Sequence, residues 1–352
     1  MWLIRRSFPH VLFCYCFYSC SYYSIASKAT LLKPTDLPVP ADKFEEFFAE
    51  SWEAALQRNS VFNALDACTH LDVDVETLTK YWVECQDAEK MVKFGGGFYC
   101  GLVSVPDKEP VYVFNGFFMN MRAKYVAPGT SIHYYSVSFP ASSLPWSCFR
   151  SQVIGPTDPT LASATSLRGQ ILANWEALGL SSVPTVSDNG VHASASPLEG
   201  LAERRNWLKV PIADDHFGAQ LLLSGVAEET VEGWCLDPRV GGVSVFDSFE
   251  DLDCTDALYK AVELNQVGVD HGESNMETEN VNDLGDNRCV EQYDHSADYN
   301  QNRAFIFIKP HGNTQATQEL VSVTLTSQGV EILEEGELTS AQIESDKLID
   351  QQ

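Results

Sequence analysis

The feature that most constrains this chain lies near its C-terminus. Residues 264–302 are polar and rich in Asn, Asp, Glu and Gly, and order then returns abruptly at Arg303-Ala-Phe-Ile-Phe-Ile-Lys-Pro-His-Gly312. The apolar run Ala304–Ile308 reads as a short strand of the buried type. Asn313–Ser327 has helical spacing and closes on Gly329, a residue type suited to a helix C-cap. Val330–Leu338 reads as a second strand. Together these make a βαβ unit of about 30 residues, too small to bury its own faces. It must complete a sheet whose other strands lie far back in the sequence, in the same chain or in a neighbour. The intervening acidic stretch, 264–302, is expected to be a flexible linker, long enough as a coil to bridge some tens of ångströms.

The remaining segments set out candidate partners for that unit. Residues 42–58 have helical spacing, and 61–94 continue as helix-like segments, which together read as a helical insertion. Lys93–Gly101, "KFGGGFYCG", lacks the frame of a phosphate loop and reads as a hairpin or tight turn. Val111–Phe117 and Ser131–Phe139 are strand-like in their β-branched and aromatic content, which makes His133 a strand residue. Residues 211–263 form a Leu-rich helical extension.

Composition bounds the function. The 352 residues carry a formal charge of −26, which argues against nucleic-acid backbones or anionic membranes as principal partners. A site for a phosphorylated ligand must therefore be a local basic island in a negative field. The ten cysteines show no C-x-x-C pair and no zinc spacing, and no N-x-S/T sequon occurs, which fits a reducing, cytoplasmic setting. Residues 1–21 carry a basic then apolar pattern like that of a signal peptide, but with no clear cleavage site, and the apolar run is too short for a bilayer-spanning helix. No stable membrane insertion is expected.

One histidine stands in an unusual context. His192 lies in Asp188-Asn-Gly-Val-His-Ala-Ser-Ala-Ser-Pro197, among residues too small to shield a ring. Ser196-Pro197-Leu198-Glu199 reads as a capping box with proline at the first helical position. Leu198, Leu201, Ala202 and Trp207 then form an apolar stripe. His192 is thus expected just ahead of a helix N-terminus, where backbone N–H groups favour an anion.

Residues 149–207 resemble the catalytic half of nucleoside diphosphate kinases. Gly155-Pro-Thr157-Asp158-Pro159 looks like the family's G-x-T-[ND]-P loop, Arg168-Gly169 like its Arg-Gly pair, and Asn189-x-x-His192 like its nucleophile motif. The resemblance implies His192 as phosphoryl acceptor, Glu203 as the carboxylate orienting it, Asn189 beside it, and Trp207 as the helix tryptophan. The segment Phe305–Ile332 resembles the family's first half, with Lys309 at its lysine position, and Ser21–Ala29 resembles the segment that follows that half, with Tyr22 at its tyrosine. Lys309, Arg168, Thr157, Arg150 and Tyr22 are then the nucleotide-binding candidates. The order is rotated: the lysine half comes last.

Departures accompany the match. His311 replaces an aspartate after Lys309, Ala193 and Ala195 replace the glycine and aspartate after the histidine, and extra helix-like sequence separates Arg168 from Asn189. Arg150 lies one residue further from Gly155 than the family's second phosphate arginine. The implied fold is α+β, a ferredoxin-like βαββαβ antiparallel sheet with helices on one face, built from 22–210 and 303–352, plus the helical insertion. The implied substrates are nucleoside tri- and diphosphates, with Mg²⁺ arriving on the nucleotide rather than at a protein metal site, in an enzyme that can be homo-oligomeric. The alternative class is a nucleotide-binding or assembly module that keeps the fold without turnover.

Overall fold

The computed structural model describes residues 33–37, 39–95, 98–240, 243–269 and 300–350. Tyr22, the signal-like segment and most of the acidic linker lie outside the described residues. The chain is a mixed α/β structure with two four-stranded sheets and one small hairpin among the described residues.

The first sheet occupies the segment expected to be a helical insertion, and corrects that expectation. Helices Ala41–Phe48, Trp52–Gln57, Ala64–Leu71 and Val75–Asp87 are present, but strands β1 (Val61–Asn63) and β2 (Met91–Gly95) interrupt them. These join β3 (Phe98–Val103) and β4 (Val111–Phe114) in the order β1-β4-β3-β2, with β1 parallel to β4 and the other pairs antiparallel. β1 is three residues long, too short to show alternation in the sequence. The hairpin reading of Lys93–Gly101 is realised in the β2–β3 pair. Aromatic side chains fill one side of this sheet, where Phe44 lies 4.8 Å from Tyr112 and Phe98 stacks on Phe114 at 5.4 Å between ring centroids.

After helix Phe118–Val126 comes β5 (Ser131–Pro140), which belongs to the second sheet together with β6 (Val191–Ala193), β9 (Gln301–Ile308) and β10 (Glu331–Thr339). β7 (Arg239–Val240) and β8 (Val243–Ser244) form the small hairpin within the otherwise helical 211–263 segment. The second sheet has the order β10-β5-β9-β6, and every neighbouring pair is antiparallel. β9 and β10 are joined through helix Gln315–Ser327 and lie parallel with β5 between them, a split form of the βαβ unit. The C-terminal unit therefore inserts its first strand into the middle of a sheet begun some 160 residues earlier, within the same chain.

Helices cover both faces of this sheet, not one. On one face Val137, Val191, Ile306 and Ile308 pack with Leu167, Ile171, Val321 and Leu325 of helices Leu167–Asn174 and Gln315–Ser327. On the other, Ile132, Phe305 and Phe307 pack with Tyr125 of the Phe118–Val126 helix, Trp207, Ile343, Leu348 and Ile349. The cause is visible in β9: Ala304–Ile308 is apolar without alternation, so neither face of the strand can be left to water. Arg122 fastens the tail to the Phe118–Val126 helix by a two-pronged ion pair with buried Asp350, at 2.7 and 2.9 Å.

The linker expectation is shortened at its start. Helix Cys254–Val269 runs several residues into 264–302, and its N-terminal part packs through Cys254, Ala257, Leu258 and Ala261 against Phe217, Val231 and Phe249. No helix of the described residues is long and apolar enough to cross a membrane.

Because β9 is bonded along both edges, a chain ending at residue 299 should lose the partners of both β5 and β6. Hydrogen exchange would read this as collapsed amide protection across Ser131–Pro140. Protection there equal to that of the full chain would show that β9 is dispensable to the sheet.

Candidate functional site

The site is assembled where β6 meets the end of β9. Gly190 makes the approach: its φ is +90°, and a Cβ there would come within 2.8 Å of Ile171, so the turn into β6 requires glycine on both counts. Its N–H donates to Nε2 of His311 at 3.1 Å, and its carbonyl accepts from Lys309 N at 2.9 Å. The next residues extend into β6, where His192 pairs with Phe307 and Ala193 with Ile306.

His192 is therefore a strand residue and is only 4% exposed, not a loop residue awaiting company. Its ring stacks on Phe307 with centroids 4.7 Å apart, and Trp207 packs on the same phenyl ring. The shielding comes from the C-terminal segment, which the local sequence could not show. Ala193 lies in extended backbone, so no glycine-specific conformation is needed there.

Nε2 of His192 is hydrogen-bonded to Oε1 of Glu203. Oε2 of the same carboxylate accepts from the Ser194 hydroxyl at 2.6 Å, and that hydroxyl in turn accepts from Phe305 N at 2.8 Å. A carboxylate that accepts at both oxygens makes Nε2–H the donor and places the imidazole lone pair on Nδ1. Glu203 is held in place because its helix, Pro197–Leu208, is buried on several sides. Ser196 caps that helix by accepting from Glu199 N, while the Glu199 carboxylate accepts from Ala195 N–H at 2.8 Å, one residue beyond the cap. Arg204, on the next position of the helix, is paired with Asp215 at 2.7 Å, both buried. Removing one partner of such a pair costs about 3–5 kcal/mol. Ser194 was not among the sequence candidates; a hydroxyl two residues from a histidine gives no signal of its role until Phe305 is placed beside it.

Three cations converge on the Lys309 side. Lys309 follows β9 in extended backbone, two residues beyond Phe307, so strand alternation turns it toward the same face as the His192 ring. Two strand residues span about 6.6 Å. Lys309 is 6% exposed, and its Nζ donates to the carbonyl of Ser187 at 3.0 Å. Burial, then the neighbouring Arg168 charge, pushes its pKa down to about 7. Arg168 is itself buried and bridges the Gly155 loop to the histidine strand, donating to Gly155 O at 2.7 Å and Val191 O at 3.0 Å. Lys124 enters from the Phe118–Val126 helix and pairs with Asp188 at 2.7 Å. Lys309, Lys124, Ser187 and Asp188, with Met121, Tyr125, Pro310 and His311, line a small recess; Arg168 lies behind it rather than in its lining. Burial lowers the His311 pKa to about 4, and its Nε2 accepts from Gly190 N–H, so the ring is neutral with Nδ1 facing Asp188 Oδ1 at 3.6 Å.

Asn189 is buried and donates from Nδ2 to the carbonyl of Thr157 at 3.0 Å, which brings the Thr157 loop to the same place. Its Oδ1 has no hydrogen-bond partner among the described residues. Arg150 is committed elsewhere, to Glu250 at 2.7 Å and Asp251 at 2.8 Å. The extra sequence between Arg168 and Asn189 is one short helix to Asn174 followed by turns and irregular chain, not further helix.

His192, Glu199 and Glu203 have ligand atoms within 4.8 Å of one another. Each carboxylate is already an acceptor for a protein donor, so the cluster is explained as a positioning network. The chain matches no family model, no curated protein and no solved structure.

The depressed Lys309 pKa makes a stability prediction. Between pH 7 and its unfolded value near 10.4, the unfolded chain binds the proton that the folded chain has lost, so stability rises with pH through that window. Lys309→Met should raise the melting temperature at pH 7 by a few degrees and flatten that rise. A melting curve for Lys309→Met as steep in pH as that of the unaltered chain would place the titration elsewhere.

Proposed function

We propose that this chain is a nucleoside diphosphate kinase-like phosphotransferase, moving the γ-phosphoryl group of a nucleoside triphosphate to a nucleoside diphosphate through phospho-His192. The observation that carries the reading is the placement of a carboxylate-oriented imidazole one strand step from two buried cations, Lys309 and Arg168, in a chain of charge −26. Two like charges are held together out of water at an energetic penalty that an anion relieves.

Read from Gln301 onward, the second sheet runs strand, helix, two strands, helix, strand, with the central position taken by the first strand. This order is consistent with a ferredoxin-like sheet rotated in sequence, and it supports the family reading suggested by the motifs. Helices on the second face are an elaboration on this scheme.

The chemistry follows from the tautomer. With Nε2–H given to Glu203, the Nδ1 lone pair attacks the γ-phosphorus. The bond from that phosphorus to the β–γ bridging oxygen breaks, and the nucleoside diphosphate leaves with the electron pair. In the second half, a terminal oxygen of the acceptor diphosphate attacks the phosphohistidine and the N–P bond breaks, restoring the lone pair. As positive charge develops on the ring, Glu203 stabilises it, and Ser194 keeps the carboxylate from turning away. Lys309, as a point charge, and Arg168 offset charge on the phosphoryl oxygens. The unpartnered amide oxygen of Asn189 suits a donor on the substrate, such as a sugar hydroxyl.

Mg²⁺ fits this site only as cargo of the nucleotide. The recess is lined by lysines and a neutral histidine, with Asp188 as the one carboxylate among its described residues, so the recess itself offers no set of hard oxygen donors for a resident ion. When bound with the phosphates, the ion supplies charge neutralisation.

A second reading has its own support: His192 is 4% exposed, which suits a nucleotide-binding or assembly module without turnover. The two separate in one experiment. Protein incubated with γ-labelled ATP and Mg²⁺ should carry acid-labile, alkali-stable label that vanishes in His192→Ala. Glu203→Gln should retain the label but form it more slowly, by about 10²-fold, as expected for loss of an orienting and charge-stabilising partner. Absence of label in the unaltered chain, with nucleotide still bound, would favour the module.

A further inference from the structure

Three features in which this sequence departs from the motifs it resembles meet at a single place. The extra chain before Asn189 supplies Ser187 and Asp188, the substituted turn after Lys309 supplies His311, and a helix outside the resembling stretches supplies Lys124. Ser187 gives its carbonyl to Lys309 Nζ at 3.0 Å. Asp188 gives one carboxylate oxygen to Lys124 at 2.7 Å and turns the other toward His311 Nδ1 at 3.6 Å. Two successive residues thus present oxygen atoms to two cations of the recess.

We propose that Asp188, with the Ser187 carbonyl, is an internal competitor for the phosphate groups of a nucleoside triphosphate, and that Lys124 is a phosphate-binding residue that exchanges Asp188 for the ligand. The inference rests on the nucleotide reading of the site and goes beyond it by naming a further contact residue and an autoinhibitory one.

The physical case is one of unequal competitors. Lys124 and Asp188 are respectively 41% and 30% exposed in their side chains, and an ion pair of that exposure, screened by solvent, holds only weakly. A triphosphate brings several negative charges to the same cations and releases Lys309 from an uncharged carbonyl. Exchange is therefore downhill for a polyanion, whereas a single carboxylate or chloride would gain little. The irregular backbone of the Ser187–Asp188 segment is tied by Asp188 N to Thr185 Oγ1 at 3.2 Å and by Thr185 N to Asp188 O at 3.1 Å, a local turn that can swing without unzipping a sheet. His311, being neutral, accepts the departure of Asp188 without leaving an uncompensated charge behind.

Calorimetric titration with inorganic tripolyphosphate, and separately with ATP and Mg²⁺, tests this on the full chain. Asp188→Asn removes the competing charge at constant shape and should tighten tripolyphosphate about three- to tenfold, a change of roughly 1 kcal/mol. Lys124→Gln should weaken it by a similar factor, and should do so in the Asp188→Asn background as well, because the lysine acts on the ligand directly. Asp188→Ala guards against an effect peculiar to the amide. Unchanged or weaker binding in both Asp188 variants would overturn the competitor role. A Lys124→Gln effect that disappears once Asp188 is neutralised would overturn direct contact. If His192 takes no label yet Asp188→Asn tightens tripolyphosphate, the competitor stands and the kinase reading fails. If label forms but the Asp188 variants bind as before, only the present inference fails.

Discussion

β9 is the element on which the rest of the structure depends. It is hydrogen-bonded to β5 on one edge and to β6 on the other, and its apolar run is covered on both faces. Much of the candidate site is attached to it. Phe307 supplies the surface against which His192 stacks, Phe305 N–H fixes the Ser194 hydroxyl that fixes Glu203, and the strand's end delivers Lys309. A sheet strand is rigid in both register and side-chain direction, because a slip of one residue reverses every face. Placing the histidine and the lysine on two bonded strands therefore sets their separation more firmly than two loops could.

This arrangement explains which parts of the architecture were legible in the sequence. The strand–helix–strand pattern of the C-terminal unit was readable because Ala304–Ile308 and Val330–Leu338 are apolar or alternating over enough residues, and because Gly329 punctuates the helix. The Pro197–Leu208 helix announced itself through Ser196 and Pro197. The strands of the first sheet were not readable in the same way. β1 is three residues long between helices, and its pairing with β4 bridges about fifty residues, so its stability is tertiary and leaves no local period. The expectation of helices on a single face failed for a related reason. It came from the implied fold, whereas the unbroken apolar run in β9 already called for cover on both sides.

For the site, the family resemblance gathered His192, Glu203, Asn189, Thr157, Arg168 and Lys309, and the structure brings these together. What sequence could not supply was the environment. His192 looked unshielded because its neighbours in sequence are small, yet small neighbours are what a strand residue needs when Phe307, itself backed by Trp207, packs over it. Arg150 shows the opposite error of attention. Its sequence position suggested a phosphate contact, while Glu250 and Asp251, a hundred residues away, claim its charge.

The electrostatics add a last constraint. In a chain with 49 acidic and 23 basic residues, an exposed basic patch would be answered by carboxylates wherever they could reach it. Burial sets Lys309 and Arg168 apart: the lysine donates to the carbonyl of Ser187, and the arginine donates to those of Gly155 and Val191. A carbonyl dipole satisfies donors without cancelling charge, so the positive potential survives inside the fold. Lys124, nearer to solvent, is instead answered by a carboxylate. Within this site the two deeper cations meet carbonyl dipoles and the shallower one a counter-charge. At Lys309 that depth comes with a pKa pushed down to about 7, by burial first and then by the Arg168 charge.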